Sequence, residues 1–197
     1  MFSQRTTTTL LNGLGDPENS SAWAELDARC RSIMLGVARR MGLSGAEAED
    51  AVQAAMLSFF EAYRAGKYRR EQGRLSAYLV AILRNRALDA RRRAHNRHEA
   101  KASIEAIEQY SEAEVSRLWL DERRNLLLKQ ALDELRAQGA DERALAAFEL
   151  FGVRAVSIDE VTARLGMARE EVYNAKYRIT RRLQPIVARL DELYEDL

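Results

Sequence analysis

Apolar residues in this chain recur every three or four positions, and the runs are cut by glycine rather than by proline. From Trp23, the positions Leu26, Cys30, Ile33, Met34, Val37, Ala38 and Met41 keep that spacing until Gly42 ends it. Ser44 and Glu47 form a capping-box pattern for the next stripe: Ala48, Val52, Ala55, Met56, Phe59 and Tyr63. That stripe stops near Gly66, and a third starts at Leu75 with Tyr78, Leu79, Ile82 and Leu83 facing inward. A chain of 197 residues with this period, two prolines and long runs of Ala, Leu, Glu and Arg buries itself as packed helices. The fold class is all-α.

Punctuation divides the chain. "GDPENSSAW" is a loop entering the first long helix, with Ser20 or Ser21 as its cap, so residues 1–19 form an N-terminal arm. The three stripes make a bundle over 20–95, interrupted by the polar, basic loop "KYRREQGR" at 67–74. Positions 96–114 lose the apolar period and turn acidic, as a linker does. A second domain, 115–197, opens with Leu118, Trp119, Leu127, Ala131 and Leu135, breaks at "QGADE", and resumes with Leu145, Phe148 and Phe151. Ser157 and Glu160 read as another capping box, starting a short helix with Ile158, Val161, Thr162 and Leu165 on one face. Gly166 follows at once, and a longer helix turns Val172, Ala175, Ile179 and Leu183 inward. Two amphipathic helices around a glycine turn predict a helix-turn-helix, with Pro185 kinking or restarting the last helix.

The stretch "ILRNRALDARRR" (82–93) crowds five arginines around a helical apolar row with Asp89 as its one acid. Net charge is only +1, but it is unevenly spread: 84–101 carries seven basic residues against two acids, and 169–189 carries six against two. Two separated cationic patches point to nucleic acid. On the terminal helix, the face opposite Val172, Ile179 and Leu183 shows Arg169, Tyr173, Asn174, Lys176, Tyr177, Arg178 and Arg181. These side chains suit phosphates and base edges in a major groove. The first patch combines Arg86, Arg92 and Arg93 with Asn85, Tyr68 and Tyr78, beside Arg69 and Arg70 of the basic loop. Aromatic faces and guanidinium groups together favour unstacked, single-stranded bases.

Other chemistries find little footing. His95 and His98 stand one helical turn apart, but the surrounding arginines repel a cation, so no metal is expected. Gly13 and Gly15 do not follow a strand, and no serine or cysteine sits in a nucleophile motif. Neither a catalytic activity nor a cofactor is expected. Cys30 has no cysteine to pair with and falls on a core stripe. The start "MFSQRTTTTL" lacks a signal-peptide core, and no apolar run nears the ~18 residues of a membrane span, so a cytoplasmic address without membrane attachment is expected.

With these residues in place, the chain resembles bacterial sigma factors of the sigma-70 superfamily, in the extracytoplasmic-function (ECF) branch. "AEDAVQAAMLSFF" is similar to that family's region 2.2, "RLSAYLVAILRNRALDARRR" to regions 2.3 and 2.4, and "VSIDEVTARLGMAREEVYNAKYRITRRL" to the region 4 helix-turn-helix. The resemblance implies a region 2 bundle and a region 4 domain joined by a linker. It also implies that Asp50 and Gln53 dock on the β′ clamp helices of core RNA polymerase, with the β flap as a further contact. Tyr68, Arg69, Arg70, Asn85, Arg86, Asp89, Arg92 and Arg93 would read and melt the promoter −10 element, and the terminal helix would read the −35 duplex. Ala54 and Tyr78 depart from the family's usual acid and tryptophan, and Ala175 stands where many relatives carry Arg. The resemblance finds no counterpart here of the region 3 domain or the N-terminal autoinhibitory region of housekeeping members. An anti-sigma factor is a further partner that the sequence leaves open.

Two other functions compete with this expectation. A stand-alone, dimeric helix-turn-helix regulator would use the first bundle for dimerisation or ligand binding. A nucleic-acid-processing enzyme would need a carboxylate cluster or metal motif that the chain lacks.

Overall fold

Gly36 stands where a long helix, α2 (Ser20–Arg40), meets the start of α5 (Glu112–Ala137): a side chain there would collide with Glu122. Arg40 reinforces the same contact, lying 3.3 Å from Asp121 and 3.5 Å from Glu122. The protein is described as a computed structural model covering residues 6–16, 19–96 and 110–197. Most of the expected linker (97–109), His98 among it, lies outside the described residues. Among those residues the structure is helical, without strands. The chain forms two compact units, Met1–Leu126 with Leu193–Leu197, and Leu127–Glu192. The division therefore falls inside α5, later than the sequence boundary at 115, because Val115 and Trp119 are core residues of the first unit.

In the first unit, α1 (Thr7–Gly13) is a capped helix with Leu10 and Leu11 buried, so this part of the expected arm joins the core. The cap of α2 is Asn19, whose side chain accepts the Ala22 N–H; the expected caps, Ser20 and Ser21, lie inside the helix. Ser21 instead donates to the Asn19 side chain at 2.9 Å. The whole predicted stripe from Leu26 to Met41 is buried, Cys30 included, and burial pushes the Cys30 thiol pKa far up. At α3 (Gly45–Arg64) the capping box is complete: Glu47 accepts the Ser44 N–H at 2.7 Å, and Ser44 accepts the Glu47 N–H at 3.4 Å. Packed on it is α4 (Leu75–Asn96), preceded by a single 3₁₀ turn, Arg70–Gln72. Phe59 lies at the centre of an aromatic cluster, with ring centroids 5.6 Å from Tyr68, 6.0 Å from Tyr63 and 6.1 Å from Trp23.

The second unit takes Leu127, Ala131 and Leu135 from α5 and continues with α6 (Glu142–Ala147), capped by Asp141. A π-type segment, Phe148–Val153, follows. Next come α7 (Ile158–Leu165) and α8 (Arg169–Leu193), joined by a turn at Gly166. Gly166 has φ 60° and ψ 37°, the left-handed conformation that ends a helix without steric cost only when Cβ is absent. Arg143 donates to the carbonyls of both Leu165 and Gly166, holding this turn from outside. Only half of the expected capping box forms on α7: Ser157 accepts the Glu160 N–H, while the Glu160 carboxylate is drawn to Arg164. Pro185 does not restart α8. The helix is continuous across it, losing one backbone donor, while Leu183, Ile186 and Leu190 keep its apolar face buried.

Candidate nucleic-acid interface

The five arginines of 82–93 do not share one surface. Arg91 is buried, donating to the Gly42 carbonyl with Glu47 at 3.6 Å, and Arg84 is half-buried, donating to the Tyr110 carbonyl at 2.6 Å. Arg86 is tied to Ser58 Oγ at 2.7 Å and to Asp89 at 3.4 Å. Arg92 and Arg93 are exposed, Arg93 bracing on the Asp89 carbonyl at 3.2 Å. The cationic patch inferred from this stretch is correspondingly smaller than its charge count.

What remains on the surface is organised by helical spacing. Asn85, Asp89 and Arg92 fall at i, i+4 and i+7, so they share one stripe of α4, and Tyr78 lies one further i−7 step along it. At that end the loop opens a cleft of about 250 Å³ lined by Lys67, Tyr68, Arg69, Arg74 and Tyr78. Lys67 and Arg74 belong to the basic loop 67–74 that the resemblance assigns to the −10 element; their convergence with Tyr78 on one cleft was not legible in the sequence. Arg69 is exposed, whereas Arg70 lies 2.7 Å from Asp196.

Tyr68 needs correction. Only 8% of it is exposed, so it is not a free stacking platform in this conformation. Tyr78 and Phe59 hold it from two sides, with centroids at 5.2 and 5.6 Å, and its hydroxyl has no hydrogen-bond partner. Burial, aided by the nearby Asp196 charge, pushes its pKa up to about 12. An aromatic residue on a polar loop reads as exposed in sequence, but the apolar end of α3 pulled it inward.

On α3, Asp50 and Gln53 are exposed and share a face, and Leu57 continues it at 57% exposure. Sequence reasoning missed Leu57, although an apolar residue off the buried stripe was its available signal. Ala54 is half-buried beside that face.

In the second unit all seven candidates on α8 are exposed, and they separate into two rows. Arg169, Tyr173 and Lys176 turn toward their neighbours: Arg169 pairs with Asp159, Tyr173 meets Phe151 edge-on at 5.3 Å, and Lys176 sits 5.0 Å over the same ring. Asn174, Tyr177, Arg178 and Arg181 form the other row at i, i+3, i+4 and i+7, with the Arg181 guanidinium 5.8 Å over Tyr177. This row offers a donor-rich, aromatic ridge of the kind that enters a major groove. Ala175 is fully buried, so that position lies on the packed side of α8 and not on its exposed rows.

Residues 26–97 match the family model described as Sigma-70 region 2. The match covers most of α2, then α3, the basic loop and α4, so this part of the chain is similar to sigma-70 region 2. No curated protein and no solved structure matches the chain. Among the described residues, no helix is long and apolar enough to cross a membrane.

Proposed function

We propose that this chain is a promoter-specificity subunit of the ECF type, without enzymatic activity of its own. It binds core RNA polymerase through the Asp50–Gln53–Leu57 face and directs the enzyme to a narrow set of promoters. The −10 strand meets the cleft at Lys67, Arg69, Arg74 and Tyr78 and the Asn85–Asp89–Arg92 stripe. The −35 duplex meets the Asn174–Tyr177–Arg178–Arg181 ridge of α8.

One observation supports this above the rest: the residues that match region 2 present a polar and cationic stripe on α4, leading into an aromatic, basic cleft. Duplex readers need a groove-sized helix, whereas opened strands need aromatic faces beside cations. The chain carries one of each, on separate units. Pull-down with core polymerase, followed by run-off transcription on genomic promoter fragments, tests the proposal. Absence of binding to core overturns it; a dimer that shifts palindromic DNA without polymerase identifies the stand-alone regulator instead.

A further inference from the structure

The segment Leu193–Leu197 belongs to the first unit and lies against the basic loop. Leu193, Tyr194 and Leu197 are buried. Its backbone is held along its length: Arg29 and Thr7 donate to the Leu193 carbonyl at 2.7 and 3.2 Å, and Arg123 donates to the Tyr194 carbonyl at 3.1 Å. The Arg29 guanidinium also sits 5.2 Å from the centre of the Tyr194 ring.

The segment then meets α4. The Asp196 carbonyl accepts the Ser76 N–H at 2.9 Å, and the Asp196 carboxylate lies 2.7 Å from Arg70 in an ion pair without hydrogen-bond alignment. Ser76 lies in the first turn of α4, where backbone donors have no partner within the helix and attract anions. A guanidinium beside a helix N-terminus is an arrangement suited to phosphate. Here both donors are taken by one aspartate, held at φ 68°, a conformation that Asp and Asn tolerate better than most side chains.

We propose that Leu193–Leu197 acts as an intramolecular competitor of the promoter strand, occupying the anion-binding corner made by Arg70 and the start of α4 until it is displaced. The proposal rests on the strand-binding role assigned to the first unit above. It accounts for the state of Arg70: a candidate phosphate contact is neutralised from within the chain.

The test is binding of a labelled, mixed-sequence single-stranded oligonucleotide to the full chain at low salt, followed by fluorescence anisotropy. Asp196→Asn keeps a residue tolerant of positive φ while removing the charge, so it is the deciding variant; a chain ending at Glu192 loses three buried side chains as well. Asp196→Asn is expected to bind roughly two- to fivefold more tightly than the parent, the range one partly exposed ion pair supports. Arg70→Ala should bind more weakly, and the gain should vanish in the Arg70→Ala/Asp196→Asn double variant. Equal affinity of parent and Asp196→Asn overturns the proposal, as does a gain that survives without Arg70. Core-polymerase pull-down on the same preparations keeps the two ideas apart. Loss of core binding by the parent defeats the sigma assignment, whereas intact core binding with no Asp196→Asn gain defeats only the competitor.

Discussion

Arg91 reaches back from α4 to the start of α3, its guanidinium 3.6 Å from the Glu47 carboxylate that caps that helix and donating to the Gly42 carbonyl. The contact separates Arg91 from its neighbours Arg92 and Arg93. Both partners are largely buried, so breaking the pair removes a cation from beside a carboxylate that is largely out of water. Arg91→Ala should therefore cost about 2–4 kcal/mol in denaturant unfolding, while Arg92→Ala stays within about 0.5 kcal/mol. In transcription assays the order should reverse: Arg92→Ala loses permanganate reactivity of the opened promoter while duplex binding is retained.

Tyr68 carries a buried hydroxyl with no partner. Tyr68→Phe removes that unsatisfied group and should stabilise the fold by up to about 1 kcal/mol, measured by thermal and urea unfolding. The titration has a definite sign. The folded chain raises the phenol pKa from 10.0 to about 12, so folding favours the neutral form. Its contribution is complete below the unfolded value and is lost as pH climbs through the folded one. Tyr68→Phe should show a shallower loss of stability across that alkaline window.

On α8, position 175 and position 178 should respond in opposite ways. Ala175→Arg forces a charge into a fully buried site and should lower stability by more than ~3 kcal/mol. Arg178→Ala, on the exposed row, should leave the melting temperature unchanged and weaken −35 duplex binding by about 1–3 kcal/mol. A gel-shift series in rising salt should show steep weakening of the parent and a smaller slope for the variant.

Leu57 is an exposed apolar residue on the Asp50–Gln53 face. Leu57→Asp should weaken competition for core polymerase by about 1–2 kcal/mol, comparable to the loss of other interface anchors. Its own unfolding curve should not move, because the side chain touches solvent in the free chain. Asp50→Ala and Gln53→Ala should act in the same direction.

The local pattern was sufficient for the helices and their punctuation. The Leu26–Met41 stripe, the Ser44–Glu47 box, the Gly166 turn and the outward row of α8 all follow from periodicity and from caps within four residues. Such features depend on neighbours in sequence, which is why they could be read there. Tertiary packing decided the rest. Which arginines of 82–93 face solvent depends on residues more than forty positions earlier, where the Gly42 carbonyl before α3 and the Glu47 carboxylate in its first turn take Arg91 inside. Tyr68 is buried because Phe59 and Tyr78 converge on it from two helices. Asp196 meets Arg70 across more than a hundred residues, and no period along the chain encodes that encounter. Charge and spacing say which residues can bind a polyanion; only the packed fold sets which of them are still free to do so.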